Sequence, residues 1–170
     1  MAIIRGNESV NVLFGTDQPD RIFGNGGDDV LFAQSGADKL DGGTGDDVIF
    51  GGRGNDHLEG RSGDDRLFGE EGNDELVGGR GKDILFGGGG RDGLQGDAGN
   101  DIIFGQSGMD AINGNEGGDR LFGGNGADGL LFGSEGADVI FGGAGNDLIE
   151  GGLHMTCSSV AAATTSSFMS

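Results

Sequence analysis

The chain has 170 residues, 42 of them Gly and only one Pro, with no Trp or Tyr and a formal net charge of −19. That length suits one ordinary domain, and so much Gly beside so little Pro excludes both a collagen triplet and a Pro-rich linker. With 29 Asp and Glu against 10 Lys and Arg, a basic nucleic-acid surface is excluded and binding to an anionic membrane is disfavoured. The single cysteine, Cys157, allows no internal disulfide framework.

Residues Met1 to Arg5 read as a short lead-in. The segment MAIIRGNESV lacks the basic region and apolar core of a cleaved signal peptide. From Gly6 onward the chain falls into units of nine: Gly, usually Gly, any residue, Gly, any, Asp, any, aliphatic, any. Gly42 to Glu59, GGTGDDVIF followed by GGRGNDHLE, shows two successive copies. Gly6 to Phe14 is a degenerate first copy, with Ser9 and Asn11 in place of Gly and Asp, as expected of a terminal cap. The next copy, Gly15 to Phe23, is irregular because Thr16 and Pro19 alter its turn. From Gly24 to Phe122 the register is strict, and Ala33 alone replaces the opening Gly. The copy Gly123 to Phe132 has ten residues, and the extra one falls within Gly129 to Phe132, which predicts a bulged strand. Two regular copies follow, to Glu150. The pattern fails after Gly152, and residues 153–170 form a tail rich in Ser, Thr and Ala, expected to be poorly ordered or a secretion signal.

Each unit has a physical reading. Gly enters backbone conformations with positive φ at little cost, so the first half of the unit is a tight turn. The last three residues are extended, with the aliphatic side chain inward and its neighbours outward. One buried aliphatic cannot stabilise a unit alone, so units must stack. Two units make one eighteen-residue coil, giving an all-β solenoid with two parallel sheets and a Leu/Ile column between them. The expected domain boundaries are 1–5, 6–152 and 153–170.

The sixth position is Asp in fifteen copies, from Asp20 to Asp147. Coils one above the other bring these carboxylates into two rows at strand spacing, roughly 5 Å. Hard cations take six to eight oxygen ligands, carboxylates and backbone carbonyls among them. The pattern therefore points to divalent cations, about a dozen of them, held between neighbouring turns and offsetting the acidity. Low hydrophobicity with high net charge otherwise describes a chain that stays disordered, so folding is expected to require the metal.

A second period is twice the first. The outward ninth position is Phe at 14, 32, 50, 68, 86, 104, 122 and 141, with Val12, Val30, Val48, Ile84, Ile102 and Val139 two residues before. The alternate copies carry polar pairs such as Lys39/Asp41 and His57/Glu59. One sheet should thus be apolar outside, and Phe32, Phe50, Phe68, Phe86, Phe104, Phe122 and Phe141 are candidates for docking another domain or a second roll. His57 reads as a solvated surface residue. No HExxH, GxSxG or P-loop pattern occurs, and the GxGxxG matches at Gly88 and Gly124 lie inside the repeat. No catalytic residue is expected.

These nonapeptides make the chain resemble the RTX family, the haemolysin-type calcium-binding repeats of secreted bacterial proteins. The resemblance covers Gly6 to Gly152. It implies a right-handed parallel β-roll with calcium between successive turns. Carried over to this sequence, the ligands are Asp29, Asp47, Asp65, Asp83, Asp101, Asp119 and Asp138 on one edge. On the other they are Asp38, Asp56, Asp74, Asp92, Asp110, Asp128 and Asp147. Turn carbonyls such as those of Gly42, Gly43, Gly45, Gly51, Gly52 and Gly54 complete the set. Asp20 stands outside this set because Thr16 and Pro19 alter its turn. The family also implies export by a type I secretion system without a cleaved N-terminal signal.

Overall fold

The computed structural model describes residues 1–152 and the strands Cys157–Ser159 and Ser166–Phe168. Successive strands alternate between two parallel sheets, one of ten strands and one of nine. Every strand pairs with the next-but-one strand in sequence, so Val48 stands beside Val30 and Arg66. This is the expected β-solenoid, with two nonapeptide units in each coil.

The nine-residue period explains the core. Ile22, Leu31, Leu40, Ile49, Leu58, Leu67, Leu76, Leu85, Leu94, Ile103, Ile112, Leu121, Leu131, Ile140 and Ile149 form one buried column. Full burial of such a side chain is worth about 1.5–3 kcal/mol, and the pleat delivers one per strand without interruption. No helix among the described residues is long and apolar enough to cross a membrane.

The ten-residue copy bulges within the expected segment. Gly129 donates its N–H to the Asp110 carbonyl, yet Ile112 pairs with Leu131, and the Ile112 N–H reaches the Leu130 carbonyl. Leu130 is the inserted residue: it is 37% exposed whereas Leu131 joins the column. Beyond it the regular coil spacing returns, with Leu131 beside Ile149.

Both ends carry more structure than the repeat pattern shows. Ile3–Arg5, read above as a lead-in, is a strand in register with Arg21, Ile22 and Phe23. In the tail, Cys157–Ser159 pairs with Val139–Phe141 and Ser166–Phe168 with Leu148–Glu150, so both sheets gain a strand beyond Gly152. The expectation of a poorly ordered tail or secretion signal otherwise lies outside the described residues.

The glycines divide by role. From Asn25 to Gly152, position 2 of the unit is left-handed, both at glycines such as Gly43 and Gly52 and at eight non-glycine residues, among them Asn25, Arg61 and Glu70. Position 4 is mostly at positive φ too, for example 147° at Gly72. Position 1 is not; its glycine is required for a different reason, set by the aspartates.

Candidate metal centre

All fifteen aspartates of position 6 are buried, none more than 4% exposed. Each sits at the end of a turn, immediately before the strand that carries the inward aliphatic, except Asp128, which the bulge separates from Leu131–Glu135. Their Oδ1 atoms form two ladders along the roll. Asp47 Oδ1 accepts the backbone N–H of Asp29 at 2.7 Å, Asp65 Oδ1 that of Asp47 at 2.8 Å, and Asp83 Oδ1 that of Asp65 at 2.8 Å. The opposite edge repeats this from Asp38 to Asp147. One carboxylate oxygen per residue is thereby used to hold coil to coil.

The other oxygen has no such partner. Oδ2 of Asp29, Asp38, Asp47, Asp56, Asp65, Asp74, Asp83, Asp92, Asp101, Asp110, Asp119, Asp128, Asp138 and Asp147 is buried without a hydrogen bond. Leaving one buried polar atom unsatisfied costs about 1–3 kcal/mol, more when it is charged, so fourteen in two rows demand an explanation. Asp20 is the exception: its Oδ2 accepts the Thr16 N–H at 2.9 Å and the Thr16 hydroxyl at 2.7 Å. The irregular turn that sets Asp20 apart supplies its own donors.

The orphan oxygens also account for position 1. A β-carbon on Gly51 would lie 2.8 Å from Asp56 Oδ2 and 2.9 Å from the Gly69 carbonyl oxygen; on Gly105 it would lie 2.6 Å from both Asp110 Oδ2 and the Gly123 carbonyl. Carboxylate and carbonyl oxygens thus border one small space inside most of these turns, which a side chain would fill. Ala33 is the single departure from glycine in the strict stretch. Of the turn carbonyls expected as ligands, that of Gly42 borders the space beside Gly24 and Asp29, while those of Gly45 and Gly54 lie against Gly63 and Gly72 in the next coil.

Burial dominates the electrostatics. It pushes Asp65, Asp74, Asp110 and Asp119 up to about 7, and Asp38, Asp47, Asp83 and Asp101 up to about 6. The N–H donated by the preceding coil opposes this, while neighbouring carboxylates reinforce it. Asp29, Asp56, Asp92, Asp128 and Asp138 are raised for the same first reason. Asp20 is lowered, chiefly by the Ala2 N–H and then the Thr16 hydroxyl. Among the described residues no three His, Cys, Asp or Glu side chains converge on one point. A cation between coils would therefore draw most of its ligands from backbone carbonyls, with carboxylates supplying the charge. That donor set suits a hard cation.

A family model for the RTX calcium-binding nonapeptide repeat matches residues 5–40, 33–67, 41–76, 59–94, 95–130 and 130–153. The chain belongs to the RTX calcium-binding nonapeptide repeat family. No curated protein matches it. What this RTX chain adds to the bare repeat is a second ladder that the consensus leaves as any residue. Asp28, Asp46 and Asp64 at position 5 accept the N–H of Asp46, Asp64 and Lys82, one coil on. Asn55, Asn73 and Asn100 do the same for Asn73, Arg91 and Gly118. The recurrence of Asp or Asn at that position was the available signal.

His57 lies outward at the surface beside Glu59, as expected, but carboxylates hold both of its ring nitrogens. On the ten-stranded sheet its Nδ1 lies 2.8 Å from Glu75 Oε2, one coil on, and its Nε2 2.8 Å from Glu59 Oε1. Arg61 bonds Asp41 at 2.6 Å and Glu59 at 2.9 Å, extending the network. Burial lowers the imidazole pKa, but the two carboxylates outweigh it and the net shift is upward. A raised histidine stabilises the fold below its unfolded pKa of about 6.5, and that contribution is lost as pH rises through the folded value. In calcium-saturated protein, His57→Ala should cost about 0.5–1 kcal/mol at pH 6 and nearly nothing at pH 9, read from urea unfolding.

Proposed function

We propose that this chain is a non-catalytic, calcium-held structural module, folded by ions lodged between successive turns on both edges. The single observation that carries the reading is the double row of fourteen buried, unpartnered Oδ2 atoms beside glycine carbonyls. Asp29, Asp47, Asp65, Asp83, Asp101, Asp119 and Asp138 hold the ions of one edge. Asp38, Asp56, Asp74, Asp92, Asp110, Asp128 and Asp147 hold those of the other. Bound calcium supplies the positive charge that a net charge of −19 lacks. About a dozen intervals between carboxylates would take about a dozen ions. The weak affinities of extracellular modules, about 0.1–1 mM, fit a secreted protein that stays unfolded during export and folds outside, as type I secretion would require.

The test is far-UV circular dichroism of chelator-treated protein during a calcium titration, with magnesium as control. A cooperative coil-to-β transition is expected with calcium alone, at roughly sub-millimolar to millimolar concentration. Asp65→Asn should raise the midpoint several-fold, whereas Asp20→Asn should leave it nearly unchanged. Full β structure in chelator at neutral pH would overturn the reading.

A second role has its own support. The rings of Phe14, Phe32, Phe50, Phe68, Phe86, Phe104, Phe122 and Phe141 stack in one uninterrupted ladder outside the nine-stranded sheet. Such a surface suits docking of a folded partner.

A further inference from the structure

We infer that two copies of this chain pair face to face through the Phe ladder of the nine-stranded sheet once the roll is folded. The inference rests on the docking role just proposed and names its occupant.

Shape comes first. Neighbouring rings are 4.8–5.1 Å apart and within 3–12° of coplanar. Strands in ordinary sheets rotate by about 20–25° from one to the next, so this ladder runs unusually straight. A straight face can meet another along its whole length. Because it is periodic, it offers the same surface at each coil, and a twofold axis then makes it complementary to itself. The ladder's length, about 34 Å, and a strand width of about 20 Å give a face of roughly 700 Å². Two such faces would bury roughly 1,400 Å², within the range of a standard stable interface.

Composition agrees. Beside the rings run Val12, Val30, Val48, Ile84, Ile102 and Val139. Among the described residues, the strands of this sheet carry three cations, Arg53, Arg66 and Arg120, against two anions, Glu70 and Glu71. That is a net +1 in a chain of −19. Two copies can therefore approach here without the repulsion that the acidic turns would impose. Arg is itself favoured in interfaces, and the Arg120 guanidinium already lies over the Phe122 ring at 5.7 Å. The ten-stranded sheet presents instead the Asp41–His57–Glu59–Arg61–Glu75 network, whose desolvation would be costly.

Sedimentation of the full chain in saturating calcium tests this. The expected mass is twice 17.1 kDa at about 10 µM, since interfaces of this size reach micromolar affinity or better. The double variant Phe68→Lys/Phe86→Lys should weaken pairing at least about 100-fold with an unchanged circular dichroism spectrum. Should that pair not fold, Val48→Arg/Ile84→Arg serves, because Arg66 and Arg120 already occupy the same outward position in other coils. A wild-type monomer at about 100 µM, or a dimer indifferent to these changes, overturns self-pairing. A monomer that binds an apolar dye in a Phe68- and Phe86-dependent way leaves the docking role to a different partner; a monomer that binds none removes both.

Discussion

Stripped of metal at pH 7, the chain should lose its β structure, and acidification to about pH 4 should restore it with no metal present. In the folded, metal-free state burial raises thirteen aspartates of the two rows, eight of them to about 6 or 7. An unfolded aspartate titrates near 3.9. Between roughly pH 4 and 7 the folded state therefore holds protons that the unfolded state has released. Stability then falls as pH rises through that window, and below it both states are protonated and none of this stability is lost. Protonation removes the buried charge and turns each Oδ2 into a donor beside a row of glycine carbonyls. Calcium reverses the sign, because its ligands must be ionised and protons compete for them. Circular dichroism against pH, with calcium and with chelator, should give curves of opposite slope between pH 4 and 7. A chelated chain that is folded at pH 7, or still unfolded at pH 4, contradicts this account.

The same buried carboxylates show how far the sequence could be read. A strict period of nine fixes which residues repeat, and Asp at position 6 with Leu or Ile at position 8 needs no structure to be recognised. The eighteen-residue coil follows from two units closing one turn of the solenoid, and the recurrence of Phe every eighteen residues from Phe14 to Phe122 agrees with it. Register across coils is what the linear pattern hides. His57 meets Glu75 only because they stand one coil apart in adjacent strands, and the position 5 ladder is visible only once N–H groups one coil on are in view. Counting places the insertion, yet Leu130 and Leu131 are chemically identical. Only the pairing of Ile112 with Leu131 decides which one is extruded. Ile3–Arg5 has the β-branched residues of a strand but no glycine turn or aspartate, so the repeat pattern does not announce it.

Glycine content conceals a further distinction, and two substitutions one residue type apart should separate it. At Gly72 φ is 147°, and an added β-carbon would fall on the carbonyl oxygen of Gly54 in the preceding coil. Both atoms belong to backbone fixed by the ladders, so neither can swing away. Left-handed strain of about 1–3 kcal/mol adds to overpacking of about 1–3 kcal/mol. Gly72→Ala should thus destabilise the calcium-loaded roll by roughly 2–6 kcal/mol and shift the calcium midpoint upward, since the same turn borders Asp74. Gly93 lies outward on the ten-stranded sheet, and a β-carbon there would meet nothing within 4 Å. Its φ is not positive, so Gly93→Ala should stabilise by about 0.4–1 kcal/mol by restricting the unfolded chain. Urea unfolding in saturating calcium measures both. Equal effects at the two sites would mean that the coils yield to a methyl group at Gly72, and the close stacking of turn on turn would not be what requires glycine.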